Sequence, residues 1–180
     1  MKAITLWQPW ASLLACGAKK FETRSWATNY RGPIAIHAAQ KPFDTDTYLD
    51  RELYPFAEAL KLQDIYSFDT LPRGCVIAFA DLVGCWEIAT DPSGPFICRP
   101  HMADGKIFEH VITGNEVFFG DWTPGRYAWE IENLMQLPKP IPAKGKQGLW
   151  NFDTVTVRGH GAMGKSEFPA FDFIEGRSKP

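Results

Sequence analysis

Short apolar runs rich in β-branched residues, separated by glycine and proline, are the feature that most constrains the fold of this chain. The clearest is residues 75–83, which follow Pro72-Arg73-Gly74 and are almost continuously apolar, so we expect a buried strand extending toward Ile88. Five further segments share an apolar or alternating pattern: residues 3–7, 21–26, 33–38, 127–131 and 151–158. Since regular helices do not separate them, the pattern predicts an α+β, mostly β fold and disfavours a doubly wound parallel sheet.

Helical periodicity is confined to two short segments. Apolar residues recur at helical spacing between Pro9, which suits a first helical position, and Gly17, which suits the position after a last turn. This spacing predicts a two-turn helix over residues 9–16. Residues 43–62 are acidic and helix-prone, and we expect Pro55 to break or restart that helix. Two segments rich in Gly and Pro are expected to be loops, the first with short helical turns: residues 91–125 and 138–148.

The charged residues are unevenly distributed along the chain. The net charge of −2 and the pI of about 6.1 exclude a uniformly basic nucleic-acid-binding protein. Residues 1–41 nevertheless hold six Lys or Arg and one acid, and residues 136–180 hold seven and four, while most acids lie between them. If the two basic ends converge in the fold, they form one electropositive face that suits a single nucleic-acid strand or a single base as ligand. The alternative is that these charges are scattered, solvated side chains.

The cysteines and the hydropathy pattern indicate in which cellular compartment the protein is expected. Four cysteines occur without a CxxC pair, and three of them lie in or near apolar runs, so we expect free thiols in a reducing environment. No run approaches 18 apolar residues, and the N-terminus lacks the pattern of a secretory signal. The sequence therefore predicts a cytoplasmic protein, or a nuclear one in a eukaryote, with no membrane partner.

A Gly-rich segment near the C-terminus matches the phosphate-loop pattern GxxxxGK[ST] over residues 159–166. The context does not support a nucleotide site, because Pro169 interrupts the helix that should follow. No later strand supplies an acidic magnesium ligand before the sequence ends. We therefore expect residues 154–180 to be a strand end followed by a flexible tail.

Two cysteines and two histidines lie in an order that zinc would accept. Cys98 and His101 are separated by two residues, with Cys85 upstream and His110 downstream. The outer spacings are not those of a zinc finger, so we predict no metal site and no cofactor. A serine hydrolase elbow of the GxSxG type is also absent from the sequence.

The strongest candidate for a functional site is the charged stretch that follows the first predicted helix, residues 17–24. If the chain is extended here, Lys20, Glu22 and Arg24 share one face, and Lys19 lies in the preceding turn. Arginine offers a planar fork for phosphate, and a carboxylate accepts hydrogen bonds from a base edge. The same pattern is also typical of a solvated strand face with surface ion pairs, and the spacing alone does not decide between them.

Several motifs in consistent order resemble the ASCH domain of the activating signal cointegrator family and its small bacterial and phage relatives. They begin with WQPWASLL at residues 7–14, GxKxxExR at residues 17–24 and the Ser25-Trp26 pair, and they continue with Arg31-Gly32 through Ile36-His37-Ala38. Further likeness lies at residues 74–85, 96–98 and 146–150. The resemblance assigns residues 1–153 to one ASCH domain.

The resemblance implies a small PUA-like β-barrel with flanking short helices. It also implies that a charged cleft between the barrel and the first helix binds RNA, another single-stranded nucleic acid or a modified nucleotide. In that cleft, Lys19 and Arg24 would hold phosphate or a carbonyl oxygen, and Glu22 would accept from an exocyclic amine or pair with Lys19. The candidate ligand-binding residues are Gln8, Trp10, Lys19, Glu22, Arg24, Trp26, Tyr30, His37, Lys144, Lys146 and Gln147. For Trp10 and His37 the alternative is simple core packing.

Two other functions remain open at this stage. Some small relatives hydrolyse the amide of N4-acetylcytidine, with a Lys that matches Lys19 and a Thr at the position of Glu22. A carboxylate cannot act as that threonine does, so a hydrolase of acylated cytidine or RNA would use Lys19 and Glu22 as its catalytic pair in another way. The third possibility is a protein-interaction module that uses the acidic segment at residues 42–72.

Overall fold

The computed structural model describes residues 1–62, 65–89, 97–100 and 110–153. The predicted tail, the phosphate-loop match and His101 lie outside these ranges. Within them, the strands are β1 (Lys2–Leu6), β2 (Phe21–Arg24), β3 (Gly32–Ala38), β4 (Cys75–Ala89), β5 (Ile97–Pro100), β6 (His110–Val111), β7 (Tyr127–Pro142) and β8 (Leu149–Asn151). The helices are α1 (Trp10–Ala15), α2 (Asp50–Ala59) and short 3₁₀ turns at Thr45–Thr47, Ile65–Thr70 and Gly114–Phe119.

The strands form one mixed sheet in the order β2-β7-β4-β3-β1-β8, and β5 pairs with both β4 and β6 beside this path. β1 and β3 are parallel, whereas the other pairs are antiparallel. The predicted α+β, mostly β class is therefore confirmed. The two ends of the path, β2 and β8, are not joined by a ladder in the described part of the chain. The closed barrel of the prediction is therefore not confirmed.

The two long strands β4 and β7 give the sheet its curvature. Their ladder contains three register shifts, between Val76 and Ala78, between Phe79 and Asp81, and between Leu82 and Gly84. Each such irregularity bends the strand and increases its twist. The curl brings the end of β2 close to β1, although three strands separate them along the path. Their contact is a side-chain bond in which Arg24 Nη2 donates to the carbonyl of Thr5 at 3.3 Å.

The largest core cluster lies between the sheet and α1. Apolar side chains from four strands and α1 are almost fully buried there, among them Ile4, Leu14, Ile36, Leu82 and Trp129. Burying a side chain of this size contributes about 1.5–3 kcal/mol. A second cluster forms where α2 packs with the 3₁₀ turn that ends at Phe119. The helix predicted over residues 9–16 is thus confirmed as α1, with its apolar face on the sheet.

The structure corrects the prediction for Pro55, which lies inside α2 and does not break it. Proline removes one backbone hydrogen bond from a helix interior. In α2 the side chains of Leu53, Phe56 and Ala57 on either side of it are buried. Their burial in the second core cluster offsets the lost hydrogen bond, so the helix continues to Ala59.

Two predicted loops are also partly strand. Residues 97–100 and 110–111 form β5 and β6, and β7 continues from Tyr127 to Pro142, well beyond the predicted end at residue 131. Three prolines in the second half of β7 made a loop the natural expectation. They are tolerated because β2 pairs only with the first half of β7, so the second half lies at a sheet edge where a missing N–H is not needed. β8 begins two residues before the predicted strand, at Leu149.

Candidate functional site

An open groove of about 1160 Å³ lies at the edge of the sheet where the parallel strands β1 and β3 end side by side. The N–H of Ala39 donates to the carbonyl of Leu6 at 2.8 Å, which joins the residue after β3 to the last residue of β1. The loop after β7 forms the opposite wall. The lining residues are Thr5, Trp7, Arg24, Trp26, His37, Ala39, Gln40, Gly74, Pro142, Ala143, Lys144, Gly145, Lys146, Gln147 and Gly148.

The groove is basic. Arg24, Lys144 and Lys146 line it, and no Asp or Glu is found among its lining residues. Arg24 belongs to the first basic block of the sequence and the two lysines belong to the last. The expected convergence of the two basic ends is therefore observed here. The two lysines are exposed, and neither has an ion-pair partner within the residues that the structure describes.

Three charged residues of the GxKxxExR motif form a chain that is fully buried at Lys19 and partly exposed at Arg24. Glu22 Oε1 lies 3.2 Å from Arg24 Nε, and its Oε2 lies 3.7 Å from Lys19 Nζ. Lys19 is fully buried and donates from Nζ to the carbonyl of Phe119 at 2.7 Å. Burial lowers the pKa of Lys19 from its ordinary value, and the negative charges of Glu22 and Glu116 partly oppose this shift. The motif is therefore an internal charge network, not a solvated strand face.

The geometry of β2 differs from the expected single charged face. Lys20 precedes the strand and is exposed, whereas Phe21, Glu22 and Thr23 are all buried, so both faces of β2 are covered. On one face Phe21 packs edge-on against Trp122, and on the other Glu22 meets Lys19 and Arg24. The carboxylate of Glu116 accepts from the backbone N–H groups of Lys20 and Phe21 at the edge of the strand. Sequence alternation alone did not show that second cover.

A smaller pocket of about 320 Å³ lies between α1, β2 and residues 118–121. Its walls are aromatic and its charged groups are acidic, and its lining residues are Trp10, Glu22, Thr23, Phe118, Phe119, Gly120 and Asp121. Trp10 packs edge-on against Phe43 and Phe56, with ring centroids 5.8 Å apart in both pairs. Trp10 thus has a core role and also contributes to a pocket. Of the two pockets, this is the one that α1 lines.

His37 contacts the loop after β7 that carries Lys144 and Lys146, called the basic loop below. Its side chain is buried in β3, and its Nε2 lies 2.9 Å from the carbonyl of Ala143. Burial lowers the pKa of His37, so the ring is neutral near pH 7 and Nε2–H donates to that carbonyl. Gly145 lies directly on the ring, since a Cβ there would come within 2.5 Å of His37 Cε1 and 2.8 Å of Thr5 Oγ1. The loop that carries Lys144 and Lys146 is therefore positioned by contact with the sheet.

Three predicted residues lie outside both pockets. Lys19 is enclosed, as described above. Gln8 is buried, where its Oε1 accepts from the N–H of Ser12 at 3.1 Å and its Nε2 donates to the carbonyl of Pro72 at 2.7 Å, so it holds the start of α1. Tyr30 donates its hydroxyl to the carbonyl of Pro33. The large groove brings together six of the predicted residues: Arg24, Trp26, His37, Lys144, Lys146 and Gln147.

Sequence reasoning did not single out Trp7 as a ligand-binding candidate. It follows β1 directly, lines the groove and is 57% exposed, and Lys41 Nζ lies 4.5 Å from the centroid of its ring. Trp26 is 37% exposed and is held edge-on to the buried Trp129, with centroids 4.5 Å apart. The available signal for Trp7 was its place at the end of a predicted strand. Only the parallel pairing of β1 with β3 shows that this end meets the basic loop.

Neither a cluster of metal-ligating side chains nor a membrane-spanning helix is found in the described residues. No group of three or more His, Cys, Asp or Glu side chains in residues 1–62, 65–89, 97–100 and 110–153 is arranged to hold a metal ion. None of the helices in these ranges is both long enough and apolar enough to span a bilayer. Cys16, Cys75 and Cys85 are free thiols, as expected, and burial raises the pKa of the last two.

The fold and the groove together define a mostly β domain with a basic groove at one edge of its sheet. The sequence model of the ASCH domain matches residues 4–135 of this chain. The chain therefore belongs to the ASCH domain family, as its motifs predicted.

Two proteins named activating signal cointegrator 1 are similar to this chain. The human protein is 37% identical over 123 residues, which cover 62% of this chain and 21% of that protein. The mouse protein is 36% identical over 157 residues, which cover 87% of this chain and 23% of that protein. The chain thus spans about a fifth of the length of these relatives.

Proposed function

We propose that this domain binds single-stranded RNA or a related single-stranded nucleic acid in the basic groove. The observation that carries the proposal is the presence of three cationic side chains and two exposed indoles on one groove whose lining holds no acid. Single-strand-binding sites combine a positive path for the backbone with aromatic surfaces on which bases stack. Membership of the ASCH family supports nucleic-acid binding in general.

The three cations have different tasks in this proposal. Arg24 is held by Glu22 at Nε and by the Thr5 carbonyl at Nη2, so its guanidinium is fixed at the groove wall before a ligand arrives. A preorganised fork loses little side-chain entropy when it binds phosphate. Lys144 and Lys146 are exposed point charges on a loop that His37 and Gly145 position. They attract the backbone and contact successive phosphates.

Of the two pockets, the smaller one lies beside the first helix, since Trp10 of α1 lines it. We assign strand binding to the larger groove because the smaller pocket presents the carboxylates of Glu22 and Asp121, which repel phosphate. The two sites are connected, because Glu22 lines the smaller pocket and holds Arg24 of the larger one.

The test is a titration of labelled decauridylate at several salt concentrations, with decathymidylate as the DNA arm. Binding should weaken with salt, because each phosphate contact releases condensed counterions, with a slope of about 0.7 per contact for single strands. The double variant Lys144→Ala/Lys146→Ala should bind more weakly and with a shallower slope. Lys139→Ala is the matched control, because Lys139 is an exposed lysine of β7 that does not line the groove.

An unchanged affinity and salt slope in the double variant would contradict the proposal. So would an equal loss in Lys139→Ala, because that result would show nonspecific attraction to positive charge anywhere on the domain. Retained binding of decauridylate with no binding of decathymidylate would restrict the ligand to RNA.

One observation favours a second candidate, hydrolysis of an acylated base in the smaller pocket. There, Glu22 lines a pocket with aromatic walls, and its partner Lys19 has a lowered pKa, a combination found at many catalytic sites. Incubation with N4-acetylcytidine, followed by chromatography, tests it through release of cytidine. Turnover that disappears in Glu22→Gln supports this candidate, and no turnover by the unaltered protein eliminates it. The protein-interaction alternative stays a prediction.

A further inference from the structure

The exposure of the tryptophans separates two of them from the rest. All seven tryptophans of the chain lie in the described ranges, and the two exposed ones are Trp7 and Trp26. Tryptophan is on average a highly buried residue because its large apolar ring is costly to leave in water. Both exposed rings line the same groove. Their common location indicates a shared ligand, since scattered exposure would place them at unrelated points of the surface.

The backbone on both sides of Trp7 holds it in place. The N–H of Ala11 donates to the carbonyl of Trp7 at 3.0 Å, at the point where α1 begins, and β1 ends at the preceding residue. The ring keeps more than half of its surface exposed although Lys41 Nζ lies over it. A cation over an indole is attracted by the ring, and this one also adds positive charge beside the groove. Trp7 and Lys41 therefore form a platform with an aromatic surface and an adjacent cation.

The size of the groove indicates more than one nucleotide. Pockets for a single small ligand are typically about 300–1,000 Å³. The groove, at about 1160 Å³, is slightly larger than that range and therefore has room for more than one nucleotide. Arg24 lies on one wall of the groove, and Lys144 and Lys146 lie on the loop that forms the opposite wall. The phosphates of a strand could therefore run between these cations.

We propose that the groove takes two nucleotides of one single strand, with one base on Trp26 and the other on the platform formed by Trp7 and Lys41. This inference rests on the proposed function and adds to it a second base site. Stacking on an aromatic side chain tolerates any base, so the pair of platforms selects single-stranded over paired nucleic acid and does not select a sequence.

The experiment measures dissociation constants for two probes, uridine 5′-monophosphate and 5′-phosphorylated diuridylate. The unaltered protein should bind the dinucleotide more tightly than the mononucleotide. Trp7→Ala should weaken dinucleotide binding by about 5- to 150-fold, which corresponds to the loss of one stacked base. The ratio of the two dissociation constants should then fall toward one. Trp7→Phe should retain most of the dinucleotide affinity because it keeps an aromatic face.

Tyr54→Ala is the matched control, because Tyr54 is a 64% exposed aromatic residue of α2 that does not line the groove. Thermal unfolding of each variant checks that the fold is retained. We expect it to be retained in Trp7→Ala and Tyr54→Ala because both side chains are exposed. The inference is overturned if Trp7→Ala binds the dinucleotide as the unaltered protein does, while Trp26→Ala and Lys144→Ala/Lys146→Ala lose affinity. That result would leave the proposed function intact, with a single base-stacking site at Trp26. If the unaltered protein binds neither decauridylate nor the dinucleotide at low salt, the proposed function fails as well.

Discussion

The two pockets of this domain differ in size, charge and origin. The smaller one is formed mainly by α1, the motif strand β2 and residues 118–121, and it presents carboxylates among aromatic rings. The larger one is formed by the ends of β1, β2 and β3 and by the loop after β7, and it presents cations. The charge chain from Lys19 through Glu22 to Arg24 connects them. One motif therefore supplies both an internal support and one residue that lines the basic groove.

A charged motif and an exposed basic surface are formed here by largely different residues. Lys19 is the most recognisable cation of the motif, yet it is fully buried and lines neither pocket. The exposed cations of the groove, Lys144 and Lys146, lie more than a hundred residues away in sequence. This difference predicts that substitutions in the charge chain change stability first, whereas removing the two exposed lysines of the basic loop changes affinity alone.

The largest effect is expected for Lys19→Met. Removing one partner of a buried ion pair costs about 3–5 kcal/mol, because the remaining charge is left without compensation. Glu22 keeps Arg24 as a partner, so we expect the lower end of that range, together with an unpaired carbonyl at Phe119. Urea denaturation measures the loss in the free energy of unfolding.

Lys20→Ala is the control for this substitution. Lys20 is the adjacent lysine, is exposed and should change the free energy of unfolding by less than about 0.5 kcal/mol. Equal stability of the two variants would contradict the structural role assigned to Lys19.

Gly145→Ala is expected to have the next largest effect. A methyl group there would meet His37 and Thr5 at distances that no Cβ tolerates, so the loop must move away from the sheet. Overpacking of this kind costs typically about 1–3 kcal/mol. The displaced loop should also weaken decauridylate binding, as measured by anisotropy. Gln147 is an exposed residue of the same loop, so Gln147→Ala should leave the free energy of unfolding unchanged. A loss of stability equal to that of Gly145→Ala would contradict the contact of Gly145 with His37 and Thr5.

A smaller effect is expected from the protonation of His37. Burial lowers its pKa in the folded protein below the ordinary value of 6.5, so the unfolded chain binds the proton more readily. The stability that the neutral ring contributes is present above about pH 6.5 and is lost as the pH falls toward the pKa of the folded state. The free energy of unfolding should therefore decrease as the pH falls below about 6.5.

His37→Gln provides the comparison for this pH dependence. An amide retains a donor for the carbonyl of Ala143 and does not titrate, so the variant should show a flatter profile over the same range. An identical profile in both proteins would show that other groups cause the pH dependence.

The smallest effect on stability is expected for Lys144→Ala/Lys146→Ala. Both side chains are exposed and lack an ion-pair partner among the described residues, so the free energy of unfolding should change by less than about 0.5 kcal/mol. The same variant should lose affinity for decauridylate, as described above. A large loss of stability here would remove the contrast between the basic loop and the buried charge chain.

Much of the local structure followed from the sequence. The apolar runs at β1, β3 and β4 and the helical spacing at α1 have the predicted types, because side-chain periodicity and flanking Gly and Pro act within a few residues. The wrong predictions have long-range causes. β7 continues through its prolines because β2 does not pair with its second half, which therefore lies at an edge of the sheet. α2 includes Pro55 because the side chains next to Pro55 are buried against other elements of the fold.

For the candidate site, the sequence by itself identified the motif family and placed the cations in two separate blocks. Only the tertiary structure decided that Arg24 meets Lys144 and Lys146 on one groove, that Trp7 belongs to it and that Lys19 is enclosed. The physical reason is the distance over which the interactions act. Side-chain alternation is set by neighbours along the chain, whereas burial and proximity depend on the parallel pairing of β1 with β3 and on the bulges that curl β4 and β7.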